Sequence, residues 1–373
     1  MRRAISTVAP GGGAYGYGTV FEASPRPSGG WSERILRSFC RDFPHCSDGT
    51  LLGVWDTPAV NAAGQLYDTS SAGIFQMTPT VHGWNFEIIY PWPGSSREAG
   101  PQNNAPEIDD ILLDASGNLY GPFGVGVGYA GAVGKLWRSP GQGWEEKDLF
   151  DFCLGKACSD GYLPVYKLAW DTADNLYGVT YYGGTHNLGV AYELQHSADG
   201  WRENVIYDFS AYPPGSALVF DGSSNLYGTT YQEGRCDGTV YQLSPQAAGD
   251  WKRTILYPFC NPEKYGGAPD AAVVFDPENG LIYGTATAGG DPACLCGVIF
   301  SLTPQADGKW KYTVLHKFKG PDGAGPNGLT YDGKGHLFGT TVAGGMYNLG
   351  AVFEYTIAPR ASETAPVRTG SSQ

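Results

Sequence analysis

The chain repeats itself with a period near 54 residues, and few folds accommodate that. One phrase recurs at Gln65-Leu66-Tyr67-Asp68, Asn118-Leu119-Tyr120-Gly121, Asn175-Leu176-Tyr177-Gly178, Asn225-Leu226-Tyr227-Gly228, Leu281-Ile282-Tyr283-Gly284 and His336-Leu337-Phe338-Gly339. Tyr67 and Phe338 are 271 residues apart over five intervals. A second phrase follows each copy, as in Gly238-Thr239-Val240-Tyr241 and Gly134-Lys135-Leu136-Trp137, with an extra copy at Gly18-Thr19-Val20-Phe21. A third opens on Trp and closes on an aromatic eight residues later: Trp31/Phe39, Trp84/Trp92, Trp144/Phe152, Trp201/Phe209, Trp251/Phe259 and Trp310/Phe318. Eight is even, so both rings of a pair are expected on one face of a strand, together with Ile255 and Tyr257 in the fifth pair. A fourth phrase, such as Leu218-Val219-Phe220-Asp221, ends in Asp before a short polar turn, and that Asp reads as an Asx-turn cap.

Each unit therefore holds four strands: A (ending in Asp), B (Leu-Tyr-Gly), C (Gly-x-Val-aromatic) and D (Trp to Phe). Four-stranded units of this period stack radially into an all-β β-propeller. No segment has the 3.6-residue apolar period of a helical solenoid. Composition agrees, with 55 Gly, 26 Pro, 50 aromatics (10 Trp, 24 Tyr, 16 Phe) and only 16% charged residues. The phrases count to 26 strands, or six and a half blades. Seven blades are favoured over six, with the ring closed by strands from both termini. The propeller is expected to span residues 1–356 as a single domain, followed by a C-terminal tail, 357–373.

Units reading Asn-Leu-Tyr-Gly-Thr-Thr, then Gly-Thr-Val-Tyr, then Trp to Phe, best seen from Asn225 to Phe259, resemble the GloVer-type tandem repeats of secreted or surface proteins of soil bacteria. The resemblance covers nearly the whole chain. It implies the propeller architecture and an extracytoplasmic location, and it carries over no activity and no catalytic residue.

The charge balance points the same way. A net charge of −13 argues against nucleic acid, whose phosphates demand a basic surface. No apolar run approaches the length of a membrane span, so no membrane insertion is expected. Eight Cys suggest disulfides and an oxidising compartment. Cys40–Cys46 and Cys153–Cys158 are expected as local pairs, Cys236 could pair with Cys260 across its blade, and a Cys294–Cys296 bridge would be strained, so the pairing of these last four stays open. Met1–Ser6 lacks the apolar core of a signal peptide, so the leader of an extracellular or cell-surface protein is expected outside this sequence. The expected state is a monomer.

With strand A innermost, the D–A and B–C loops share one face, and they vary most. Function belongs on variable loops held by a rigid scaffold. The first complete unit breaks its own pattern: Asp68 replaces the Gly of the other five copies, and the following D–A loop, residues 93–110, is the longest and carries Glu98, Glu107, Asp109 and Asp110. Massed carboxylates at a propeller mouth can supply a general acid with a base or nucleophile. The plainer reading of any one of them is a solvated loop acid. No cofactor or metal centre is expected, and the one ion these oxygens leave open is a structural calcium. Trp55, Tyr129, Tyr181, Tyr182, Tyr231 and His186 lie in or beside the loops, where aromatic rings stack on sugars. The expectation is a secreted carbohydrate-active propeller, most concretely a glycoside hydrolase acting through Asp68 and the loop acids on a glycan or other small-molecule ligand. The alternatives are a non-catalytic glycan-binding adhesin and a structural repeat protein.

Overall fold

The local chemistry of one turn explains the recurring phrases. Asp221 Oδ1 accepts hydrogen bonds from the backbone N–H groups of Ser223 (2.6 Å) and Asn225 (3.0 Å). Its Oδ2 accepts from Asn225 Nδ2 (2.8 Å) and the Tyr227 hydroxyl (3.0 Å). Asp114/Asn118/Tyr120 and Asp171/Asn175/Tyr177 repeat this network. The Asp caps the turn as expected. The Asn and Tyr recur because they fill its second oxygen.

A computed structural model describes residues 5–9, 13–26, 30–43, 45–50, 58–92, 111–124, 130–155, 157–247 and 249–357. Its 26 strands form seven antiparallel sheets that follow the sequence order. Sheets 2 to 6 (59–91, 112–151, 162–208, 219–258 and 274–317) each hold strands A to D. Sheet 1 (Ile5–Ala9, Thr19–Pro25, Trp31–Ser38) has B, C and D, and sheet 7 (Ala324–Tyr331, His336–Ala343, Ala351–Thr356) has A, B and C. Among the described residues the one helix is Pro262–Tyr265. From sheet 2 to sheet 7 successive A strands touch each other, and D strands touch D strands in most neighbouring pairs. The sheets are thus stacked radially as propeller blades.

Closure differs from the expectation. Among the described residues no sheet combines strands from the two ends of the chain. Instead, sheet 1 packs face to face on sheet 7: the Trp31 ring meets Phe338 at 5.8 Å, and its Nε1–H donates to Glu354 (3.1 Å). The same Trp-on-Tyr contact joins Trp144 to Tyr67, Trp251 to Tyr177 and Trp310 to Tyr227, so the terminal sheets meet as consecutive blades do.

The D strand also corrects the expectation that its two rings share a face. Each C–D pairing shifts register once, between Val240 and Tyr241 in sheet 5 and at the matching position elsewhere. This bulge puts an extra residue in D and reverses the alternation beyond it. Trp251 consequently faces the preceding sheet, on Tyr177, while Phe259 faces the following one, on Phe300. Ile255 is left 45% exposed.

The five seams from sheet 1 to sheet 6 therefore share one plan. The earlier sheet supplies the sixth and eighth residues after its Trp, and the later sheet supplies its strand-C ring and the second residue after its Trp. That second residue is Phe86, Glu146, Glu203, Arg253 and Tyr312 in sheets 2 to 6. The recurring Gly of strand B exists for the strand-C ring. A Cβ at Gly178 would lie 2.3 Å from the Tyr192 hydroxyl, and one at Gly284 would lie 2.4 Å from Phe300 Cζ. In sheet 3 the residue at the ring position is Gly134, next to the register shift, and the backbone counterpart of Gly189 is Gly131. The phrase beginning at Gly134 is thus displaced by three residues from its structural equivalents. Phe123 occupies the space, 2.7 Å from where a Gly134 Cβ would be.

Candidate binding surface on the fourth sheet

Sheet 4 carries the densest group of ligand-capable side chains on the described loop face. Its strand B, Leu176–Tyr182, runs into the loop Gly183-Gly184-Thr185-His186-Asn187-Leu188-Gly189 before strand C, Val190–Ser197. The loop is tightly constrained. Asn187 has φ 54°, and its Oδ1 accepts the Gly183 N–H at 3.1 Å. Gly183 has φ 83°, and a Cβ there would come within 2.6 Å of Cys158 O and Gly161 Cα, so no side chain fits. Cys158 O in turn accepts from Gly161 N–H (3.0 Å) and Gly184 N–H (2.9 Å). The loop closed by the Cys153–Cys158 disulfide thereby braces the B–C loop of the next sheet.

On this frame Tyr181 and Tyr182 stand edge to face at 4.8 Å, 38% and 41% exposed. Tyr182 pairs in register with Tyr162 at the start of strand A, and their ring centroids are 6.1 Å apart. Asp208, the last residue of strand D, reaches over the loop. It accepts the Thr185 N–H (3.0 Å) and the Thr185 hydroxyl. With that hydroxyl given to Asp208, the 2.9 Å contact between Thr185 Oγ1 and His186 Nδ1 requires the ring to donate. His186 Nε2 is then the acceptor nitrogen of the neutral ring, and the side chain is half exposed. Three tyrosines, a carboxylate and an imidazole thus lie at one end of sheet 4.

Tyr181 and Tyr182 are in ring contact with each other and, through Tyr182, with Tyr162, while His186, Thr185 and Asp208 form a second, hydrogen-bonded group on the loop that follows. Asp208 was legible only as a strand end. Tyr231 stands 54% exposed on sheet 5, and among the described residues no ring contact ties it to this group. Asp68 lies within strand B of sheet 2, opposite Phe75, at 3% exposure, with its Oδ1 accepting the Thr69 N–H at 2.7 Å. Glu98, Glu107, Asp109, Asp110, Trp55 and Tyr129, and with them the calcium option, lie outside the described residues. The two expected cysteine pairs are bonded, and the four cysteines left open pair as Cys236–Cys260 and Cys294–Cys296. The loop design recurs in sheet 7 as Gly344-Gly345-Met346-Tyr347-Asn348-Leu349-Gly350, with Asn348 Oδ1 accepting the Gly344 N–H at 3.0 Å. There Met346, Tyr347 and Leu349 are the exposed residues.

Carboxyl groups missed by motif reading lie in two seams, at the second position of strand D. Glu146 and Asp148 share a hydrogen bond beside Tyr90; burial first, then the charge of Asp148, pushes Glu146 up to about 7. Burial also raises Asp148. Glu203, in the next seam, is pushed up to about 8 by burial and the nearby Asp160. Comparing this one position across the six Trp-to-Phe phrases would have exposed both.

Residues 211–367 match the model of the Gloeobacter/Verrucomicrobia repeat. The chain is a tandem-repeat propeller, and its residues 211–367 are similar to that repeat. Among curated proteins none matches it. A hypothetical selenium-binding protein from Sulfolobus tokodaii aligns over 95% of this chain and 88% of its own, at 11% identity and TM-score 0.57. Prolyl oligopeptidase B from Galerina marginata aligns over 92% of this chain at 12% identity and TM-score 0.52, and this chain spans 46% of its length. Both likenesses are of fold alone. No helix among the described residues is long and apolar enough to cross a membrane.

Proposed function

We propose that this repeat propeller is an extracytoplasmic glycan-binding protein whose ligand lies on the sheet 4 loop face. The observation that carries the reading is the cluster of Tyr162, Tyr181 and Tyr182 beside Asp208 and His186 on a disulfide-braced loop. Sugar rings present C–H faces to aromatic rings and hydroxyls to carboxylate and imidazole acceptors. Rigid side chains on a fixed loop lose little entropy when the ligand binds. Four disulfides within a single chain fit an oxidising compartment.

Binding without turnover is favoured over hydrolysis. The buried Asp68 has little access to a substrate. Glu146 and Asp148, at hydrogen-bond distance, are closer than the ~5–9.5 Å separation of glycosidase carboxylates. The test is a glycan array probed with the purified protein, followed by reducing-end assays on every glycan retained. Retention without hydrolysis, lost on Tyr182→Ala, is the expected result. Hydrolysis abolished by Asp68→Asn with Glu107→Gln would replace this reading with a catalytic one.

A further inference from the structure

We propose that the seam between sheets 3 and 4 is a receptor for a guanidinium group, held between Phe150, Phe152 and Tyr192 and paired with Glu203. The reasoning rests on the protein's own seams. Between sheets 4 and 5, Tyr207 and Phe209 meet at 5.0 Å and 82°, and Phe209 meets Tyr241 at 5.8 Å and 69°. Arg253 fills that cradle, its Cζ 4.8 Å from the Tyr241 centroid, 5.9 Å from Tyr207 and 6.0 Å from Phe209. Its guanidinium is paired with Glu233, with Nη1 to Oε1 at 2.9 Å. Between sheets 1 and 2 an arginine is used again: Arg37 lies 4.0 Å from the Phe86 centroid and pairs with Asp48.

The cradle between sheets 3 and 4 has nearly the same rings. Phe150 and Phe152 meet at 5.0 Å and 80°, and Phe152 meets Tyr192 at 4.9 Å and 59°. The position that carries Arg253 in the next seam carries Glu203. Here the acid is built in and the cation is the missing member. Glu203 Oε1 is buried in this seam without a hydrogen-bond partner among the described residues; the Tyr192 hydroxyl has none either, but the Tyr241 hydroxyl beside Arg253 is alike in this, so Glu203 alone sets the two seams apart. Asp160 adds a second negative charge near Glu203. Glu203 is itself partly exposed. A planar cation stacks on aromatic faces and offers a carboxylate two parallel N–H donors.

The guanidinium could belong to a small metabolite or to an arginine side chain of a peptide, and the two are separable. Calorimetric titration of the full chain at pH 8.5 would use methylguanidinium, a capped Gly-Arg-Gly tripeptide, and the same tripeptide with citrulline. Saturable binding of either guanidinium compound, about tenfold or more tighter than citrulline, is expected. A tighter tripeptide identifies a peptide source, and equal affinities identify the free cation. Glu203→Gln should cost about tenfold, and Glu203→Arg should abolish binding by filling the cradle as Arg253 fills its own. Near-UV circular dichroism checks that both variants fold, and if Glu203→Arg does not, Glu203→Gln decides. No saturable heat up to ~10 mM, equal binding of citrulline, or undiminished binding by Glu203→Gln would overturn the assignment.

Discussion

Arg253→Met removes the cation from the seam between sheets 4 and 5, and its cost can be worked from the structure. Arg253 and Glu233 are 12% and 18% exposed, so the variant strands a carboxylate in a mostly buried site. In the native protein burial raises Glu233, but the hydrogen bond and charge of Arg253 outweigh it and hold the group below its usual range. Without Arg253 the carboxylate must either stay charged in the seam or take up a proton. Protonation at pH 7 of a group that titrates near 4.3 costs about 3.7 kcal/mol, which caps the loss from this source. Stacking on three rings adds about 1–2 kcal/mol. The Thr230 and Thr239 hydroxyls still serve Glu233, which offsets part of the total. The expected loss is about 3–5 kcal/mol at pH 7. At pH 5 the cost of protonation falls to about 1 kcal/mol, so the loss should shrink by up to about 2.7 kcal/mol. Urea unfolding with disulfides intact, followed by tryptophan fluorescence at both pH values, measures this. Glu233→Gln with Arg253→Met should recover to within about 1 kcal/mol of the native chain, because no charge is then stranded. A loss under about 1 kcal/mol at pH 7, or one that does not depend on pH, would refute the reasoning.

Three further outcomes follow from the same geometry. Gly178→Ala drives a methyl into the Tyr192 hydroxyl and should cost about 1–3 kcal/mol in chemical unfolding, whereas Gly222→Ala, with open space around it, should cost under 1 kcal/mol. Glu203 titrates higher in the fold than in the unfolded chain, so it detracts from stability as pH rises from the unfolded value toward about 8. Glu203→Gln should therefore match the native Tm at pH 4 and exceed it at pH 9, and a difference that is flat with pH would contradict the burial argument. Peptide mapping without reduction should recover Cys153–Cys158 and Cys236–Cys260 as linked pairs, and free thiol at Cys153 or Cys158 would break the bracing assigned to the sheet 4 loop.

Much of the fold was legible because each phrase encodes a local interaction. Asp, Asn and Tyr recur as one hydrogen-bonded turn, and the strand-B Gly recurs to make room for one ring. What escaped was set by a backbone irregularity or by pairing across the chain. The even spacing of Trp251 and Phe259 hid a bulge that turns them to opposite sheets. Gly134 matched a phrase by composition while its backbone counterpart lay three residues earlier. Tyr162 meets Tyr182 through register, and Asp208 reaches His186 from the far edge of the same sheet. Neither is visible in linear spacing. Glu146 and Glu203 carry no signal in the sequence because the second residue after each Trp varies from copy to copy, and only the shared seam geometry shows that they are half-buried.

The most direct test of the binding reading is a crystal structure of the protein soaked with an oligosaccharide selected on the array. The account predicts a sugar ring against Tyr182 and Tyr162, with a hydroxyl within hydrogen-bond reach of Asp208 or His186 Nε2. A sugar seated instead against Asp68 and the 93–110 loop, with sheet 4 empty, would contradict it.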